Sequence, residues 1–200
     1  MAKFYDQLTP KLIEFIQHQH LFFTASGTAE SRINLSPKGM DTFRVISPQQ
    51  VAYLDVTGSG NETAAHLKHD GRLTFMFCSF ELDPLILRLY GRGFVVSQVD
   101  DAWEDWSEHF ETLPGTRQIV GLRIESVQTS CGYGVPEYEF RGDRPKLIQW
   151  AQKKGDDGIR QYWQDKNQVS IDGLPTGLNG SGALQQWWTR RLNNNLKSSS

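Results

Sequence analysis

Cysteine is scarce in this chain: two in 200 residues, Cys78 and Cys131. Two thiols do not make a disulfide framework. Both read as small buried apolar residues, and a reducing, cytoplasmic setting is expected. Long apolar runs are missing too, and nothing approaches the roughly 18 residues of a membrane span. Excess charge of either sign is also absent. Lys+Arg 21 against Asp+Glu 23 leaves a formal net charge of -2, which excludes the broad basic field of a general nucleic-acid binder. Met1-Ala2-Lys3-Phe4-Tyr5-Asp6 holds no apolar core of a secretion signal. Tryptophan is missing from the first 102 residues, whereas Trp103, Trp106, Trp150, Trp163, Trp187 and Trp188 all follow. The two halves are built from different materials.

What remains is an ordinary globular composition, with Gly 18 and charged residues at 22%. The length favours one domain. Thr9-Pro10 opens a helix, with Thr as N-cap and Pro at the first helical position. Leu8, Leu12, Phe15 and Ile16 share its apolar face. Short strands then recur at 21–25, 32–36, 43–46, 51–56, 72–77, 85–96 and 119–127, the long one bending at Gly91 and Gly93. In the second strand Ile33 and Leu35 face one side, and Arg32, Asn34 and Ser36 the other. Six or seven strands at this spacing suggest a barrel or a sandwich. Helices are expected at 101–110, 145–154 and 159–166, the first with Trp103, Trp106 and Phe110 on one face and Asp101, Glu104, Asp105 and Glu108 on the solvated one.

Chemistry concentrates in Asp55-Val56-Thr57-Gly58-Ser59-Gly60-Asn61-Glu62-Thr63. A strand ends at Val56, a Gly-rich turn follows, and a helix begins with Ser59 or Asn61 as N-cap. Free backbone N–H groups and the helix dipole converge there, which suits a phosphate. Thr57, Ser59 and Thr63 offer hydroxyls. The turn lacks the Gly-Lys-Ser/Thr ending of a P-loop and the third Gly of a dinucleotide fingerprint, and an ordinary capped helix would read the same way. The second element is Arg32-x-Asn34-x-Ser36-Pro37-Lys38, either a plain solvated strand face or a polar wall for an anionic ligand.

Together with Arg72-Leu73-Thr74-Phe75-Met76-Phe77 and Pro84-Leu85-Ile86-Leu87-Arg88-Leu89-Tyr90-Gly91-Arg92-Gly93, these two motifs resemble the FMN-binding split barrel of the pyridoxamine 5'-phosphate oxidase family. Ser130-Cys131-Gly132-Tyr133-Gly134-Val135-Pro136 and Ser170-Ile171-Asp172-Gly173-Leu174-Pro175 resemble one branch of it. The resemblance spans roughly residues 3–178. It implies a mainly β fold with added helices, namely a six-stranded antiparallel split β-barrel. It also implies a homodimer with FMN at the interface. Residues 1–178 would form one domain with helical additions at about 100–111 and 144–167, ahead of a polar, mobile tail over 179–200.

Carried over position by position, Arg32, Ile33, Asn34, Leu35, Ser36 and Lys38 would line the flavin and ribityl side. Val56 and Thr57 would end the next strand. Ser59, Gly60, Asn61, Glu62 and Thr63 would lie at the phosphate, and Arg88 on the cofactor side. Two departures stand out. Glu62-Thr63 occupies the place of the oxidase's Arg-Lys pair, and Trp187-Trp188-Thr189-Arg190-Arg191 lacks the His of its Arg-x-His substrate motif. The expected activity is therefore flavin-dependent oxidoreduction of another small molecule, with a nicotinamide as a candidate electron donor. Two alternatives stay open: a flavin binder or sensor without turnover, and the same fold holding F420 or heme. No side chain announces itself as a general base.

His18-x-His20 and His66-x-x-His69 lack a third ligand at metal spacing, so no metal site is assigned and the histidines read as surface or structural. Tyr133, in its Gly-rich turn, is either a plain surface residue or a cover over a second subunit's cofactor.

Overall fold

The computed structural model describes residues 2–178. Eight strands form one antiparallel sheet: β1 Lys3–Tyr5, β2 Phe22–Ser26, β3 Asn34–Lys38, β4 Phe43–Ser47, β5 Gln50–Val56, β6 Arg72–Cys78, β7 Ile86–Ser97 and β8 Thr116–Ser130. The helices are α1 Pro10–Gln17, α2 Glu62–His69, α3 Trp103–Ser107 and α4 Lys146–Lys166. The hydrogen-bonded path runs β3-β2-β6-β7-β8-β5-β4, with β1 paired to β8.

Among the described residues there are eight strands rather than six: seven fall where the sequence pattern placed strands, and β1 was too short to register there. No backbone pairing between β3 and β4 closes the sheet. Side chains join the split instead. Phe43 of β4 meets Phe22, Phe75 and Phe77 of β2 and β6 at ring separations of 4.8, 5.3 and 4.9 Å, mostly edge to face. The interior of the curled sheet is thus filled by Phe22, Phe75, Phe77, Leu87, Leu89, Val120 and Leu122. Leu8, Leu12 and Ile16 from α1 join the same core, as the helical spacing required. Thr9 Oγ1 accepts from Leu12 N–H at 3.4 Å, with Pro10 in the first turn.

A second cluster accounts for Trp103 and Trp106. Ala52, Leu54, Val96 and Ile119 on the outer face of β5, β7 and β8 are covered by Trp103, Trp106, Phe110 and Leu113. That is why β5 is buried on both faces at its centre. The helix α3 is shorter than the 101–110 expectation, and its acidic residues are exposed. The two expected helices 145–154 and 159–166 run as α4, interrupted where Gly155 takes φ 66 and ψ 171. The last strand is longer at both ends than 119–127, and β3 starts two residues later than expected. Cys78 is buried but Cys131 is exposed, since it lies just past the end of β8. His66 is also inside, because α2 packs Thr63, Ala64, Ala65, His66 and Leu67 inward rather than presenting a mostly exposed face. Trp187, Trp188 and the tail 179–200 lie outside the described residues.

The long strand β7 bends where its register with β8 shifts between Tyr90 and Gly91. A Cβ on Gly91 would sit 2.0 Å from the carbonyl oxygen of Arg123. Backbone cannot yield as a side-chain tip does, so Gly91→Ala is expected to cost about 3 kcal/mol or more. Urea unfolding of the variant measures this, and a loss below 1 kcal/mol would mean that β7 and β8 can separate there cheaply.

Candidate functional site

A cavity of about 310 Å³ opens where β3, the Gly-rich turn and the start of α2 meet. Asn34, Ser36 and Lys38 of β3 line one wall, residues 58–63 the other, and Asp55 and Arg117 its floor. Alternation in β3 sends these polar side chains inward together. They stand opposite Ser26, Thr24 and Phe22 of β2 in the ladder.

The floor is a buried charge cluster. Asp55 Oδ2 accepts from Arg117 Nε at 3.0 Å, Arg117 Nη2 at 2.7 Å and Gln118 Nε2 at 2.9 Å. Lys38 Nζ donates to Asp55 Oδ1 at 3.2 Å. Burial pushes the Asp55 carboxyl up, but the Arg117 and Lys38 charges and the donated hydrogen bonds outweigh it and hold the group below its ordinary 3.8. Arg117 also donates through Nη1 to Gly60 O at 3.0 Å and Asn167 Oδ1 at 2.8 Å. One guanidinium thus ties β5, the Gly-rich turn and the chain after α4 together. A register shift between Asp55 and Val56 in the β5–β8 pairing accommodates it.

Asn61 stands at the N-cap of α2, but its side chain does not cap the helix. Gln118 Nε2 donates to its Oδ1 at 2.7 Å, and Asn61 Nδ2 is buried without a partner among the described residues. Burying an amide N–H₂ unpaired is costly. It lies on the cavity wall beside the first-turn N–H groups of an eight-residue helix, which have no intrahelical acceptor. Glu62 also lines the cavity, but Ile171 N–H donates to both its carboxylate oxygens at 3.1 Å.

The sequence-derived residues distribute as follows. Asn34, Ser36, Lys38, Ser59, Gly60, Asn61, Glu62 and Thr63 converge on this cavity. Thr57 does not line it: the hydroxyl donates to Gly115 O and accepts from Trp163 Nε1, both at 2.7 Å, and Val56 precedes it outside the lining. Arg32 is turned onto Asp172. Ile33 and Leu35 point the other way, 81% and 63% exposed. Arg88 lies on the outer sheet face and donates to Ser130 Oγ at 3.1 Å, so one chain does not bring it to the cavity. Asp55 headed the Gly-rich motif without being given a role, Arg117, Gln118 and Asn167 were not singled out from the sequence, and Trp163 was noted only for its place in the second half. The signal for the first three was a carboxylate inside an apolar strand and an Arg-Gln pair directly before another, a position left outside the 119–127 strand.

Behind the cavity lies a polar interior. Asn34 Nδ2 donates to Thr63 Oγ1 at 3.1 Å, Ser36 Oγ donates to Asn34 Oδ1 at 3.1 Å, and Ser26 Oγ lies 3.0 Å from His66 Nδ1. Burial pushes the His66 imidazole below its ordinary 6.5, toward the neutral form.

The family model described as pyridoxamine 5'-phosphate oxidase matches residues 8–131. The chain belongs to the pyridoxamine 5'-phosphate oxidase family. A curated relative from Aspergillus flavus, pyridoxamine 5'-phosphate oxidase family protein ustO, is 36% identical over 214 residues, covering 96% of this chain and 86% of that protein. A solved structure of a putative pyridoxamine 5'-phosphate oxidase from Lactobacillus delbrueckii shares the fold. It has 21% identity and a TM-score of 0.50, over 62% of this chain and 94% of that one. A looser likeness is the FAD binding protein from Mycobacterium smegmatis, at 13% identity and a TM-score of 0.45, over 63% and 97% of the two chains. The family match ends at residue 131, before α4 and the Asn167 that hold the Gly-rich turn.

Asp55 and His66 contribute to the response to acid. Each has a folded value below its ordinary one, so each stabilises the fold above that ordinary value and ceases to as pH falls through the folded one. His66 is expected to withdraw its contribution below its ordinary 6.5, and Asp55 below its ordinary 3.8. Asp55→Asn is expected to lose about 3 kcal/mol at neutral pH. It should also flatten the decline between pH 5 and 2, as read by urea melts across that range. A decline as steep as that of the parent protein would place the acid-sensitive group elsewhere.

Proposed function

We propose that this chain binds FMN, with the phosphate end at the 310 Å³ cavity, and acts as a flavin-dependent oxidoreductase on a small organic molecule. The observation that carries this reading is the buried, unpartnered Asn61 amide beside the start of α2, a donor arrangement that suits an anionic oxygen. The donor chemistry fits a phosphate: Asn61 with its unpartnered buried amide, Ser59 and Thr63 with their hydroxyls and Lys38 with its ammonium line one cavity at the start of α2. Lys38 would take the place of the missing Arg-Lys pair. Arg117 shapes the floor but spends its donors on Asp55, Gly60 and Asn167. The Ile171 N–H engages Glu62 and tempers its repulsion of an anion.

Bound FMN would supply hydride-accepting chemistry, with a reduced nicotinamide or the substrate as donor. The chain's own part is binding, orientation and exclusion of water. The unpaired state of Cys78 and Cys131 favours work in the cytoplasm, and among the described residues no helix is long and apolar enough to cross a membrane.

We further propose that the working unit is a homodimer. Phe4, Gln128, Arg88, Met76, Phe23 and Pro37 stand opposite one another across successive strands, forming one row on the outer sheet face. Leu35 stands in the next row beside Ala25. Phe4 at 66% and Leu35 at 63% exposure leave this face apolar and open, as a second copy would require. Arg88 would then lie at the boundary between subunits.

Protein reconstituted with FMN and desalted is expected to keep a flavin absorption band, and Asn61→Leu to weaken FMN binding at least tenfold by fluorescence titration. Desalted protein without the band overturns the flavin reading. Stopped-flow mixing with NADH or NADPH then separates an oxidoreductase, which bleaches quickly, from a flavin store, which does not. Light scattering is expected to give twice the chain mass, and Leu35→Asp to shift it toward the monomer. A parent protein that is already monomeric removes the dimer.

A further inference from the structure

The chain after α4, residues 167–178, lies as a strap across the outside of the Gly-rich turn. Asn167 anchors it, accepting from Arg117 and donating through Nδ2 to Gly58 O at 3.2 Å. A bridge between Val169 and Pro175 closes the strap on itself, with Gly173 at φ 79 making the turn. At its tip Ile171 N–H holds Glu62. The next residue, Asp172, holds Arg32 twice: Oδ2 accepts from the Arg32 backbone N–H at 2.8 Å, and Oδ1 takes its guanidinium.

Arg32 stands two positions before Asn34, the first β3 residue on the cavity wall. Two residues of chain span at most about 7 Å, within reach of a guanidinium on its flexible arm. A cation beside the cavity is therefore bound to an anion supplied by the chain itself. The guanidinium faces water at 70% side-chain exposure, whereas Asp172 is 17% exposed. Solvent at the Arg32 end screens the pair, so it is salt-sensitive and the guanidinium can exchange its partner. The Glu62 contact is independent of it and survives the exchange.

We propose that Asp172 is a built-in competitor for Arg32. A phosphate-bearing ligand entering the cavity takes over the guanidinium, Asp172 releases it, and the strap stays in place on Glu62 and Asn167. The proposal rests on the phosphate-binding reading of the cavity and adds to it a control of affinity from outside the barrel. No covalent step is involved, only a swap of one anion for another on Arg32.

The test is FMN titration of the full chain, of Asp172→Asn, of Arg32→Gln and of the double variant, with thermal melts to verify folding. Asp172→Asn is expected to bind FMN about twofold to fivefold more tightly. The gain should shrink in high salt and vanish in the Arg32→Gln background. Amide hydrogen exchange supplies a readout without any variant: Ile171 should keep its protection with FMN bound, as a strap that stays in place requires. Unchanged or weaker binding by Asp172→Asn, a gain that persists without Arg32, or loss of Ile171 protection on FMN binding overturns the competitor while leaving the flavin reading intact. FMN binding to neither the parent nor Asp172→Asn overturns the flavin reading and the competitor with it. Binding by Asp172→Asn alone supports both.

Discussion

The buried carboxylate of Asp55 is the constraint around which the site is arranged. A charge taken out of water at this depth needs compensation from several directions. It receives two hydrogen bonds from Arg117, one from Gln118 and the ammonium of Lys38. The donors arrive on two different pieces of the fold, β3 and β8. Lys38 comes from β3, at one end of the hydrogen-bonded path, so its bond to Asp55 reaches across the open side of the sheet. Arg117 comes from β8 and carries the Gly60 carbonyl and Asn167 with it. Satisfying one carboxylate therefore sets the separation of the two cavity walls and the position of the turn between them.

The same cluster reconciles the site with its missing cations. The lining charges are Lys38 and Arg117 against Asp55 and Glu62, so formal charge alone gives an anion little. What the cavity offers is oriented N–H donors in a partly dry place, where hydrogen bonds are stronger than in water. Binding by fixed dipoles rather than by surplus positive charge matches a chain whose overall charge is close to neutral.

Much of the barrel could be read from periodicity, because strands with one inward face leave an alternating trace. The run Arg72–Cys78 shows it, β2 betrays itself by apolar content instead, and the capped helix α1 leaves its own helical spacing. The Gly-rich turn was legible because strand end, glycines and helix start occur together. The floor of the cavity was not. Asp55 and Arg117 are 62 positions apart, and nothing local tells a buried polar residue with a distant partner from a solvated one. Alternation misled in a different way at Arg32, placed by its strand phase on the polar wall but claimed by Asp172, 140 positions later. Thr57 offered a hydroxyl in the right turn, yet Gly115 and Trp163 consume it. His66 looked like a surface residue because a short helix enclosed on nearly all sides has no polar stripe to read.

The bond from Trp163 to Thr57 and that from Asn167 to Gly58 span 106 and 109 positions. During synthesis from the N-terminus, the barrel strands through β8 are complete while both partners are still unmade. The Gly-rich turn already has its seat on the sheet through Thr57 to Gly115, Gly60 to Arg117 and Asn61 to Gln118. The end of α4 adds the last two ties, so the latest-made part of the described chain closes over a turn that the earlier strands have positioned.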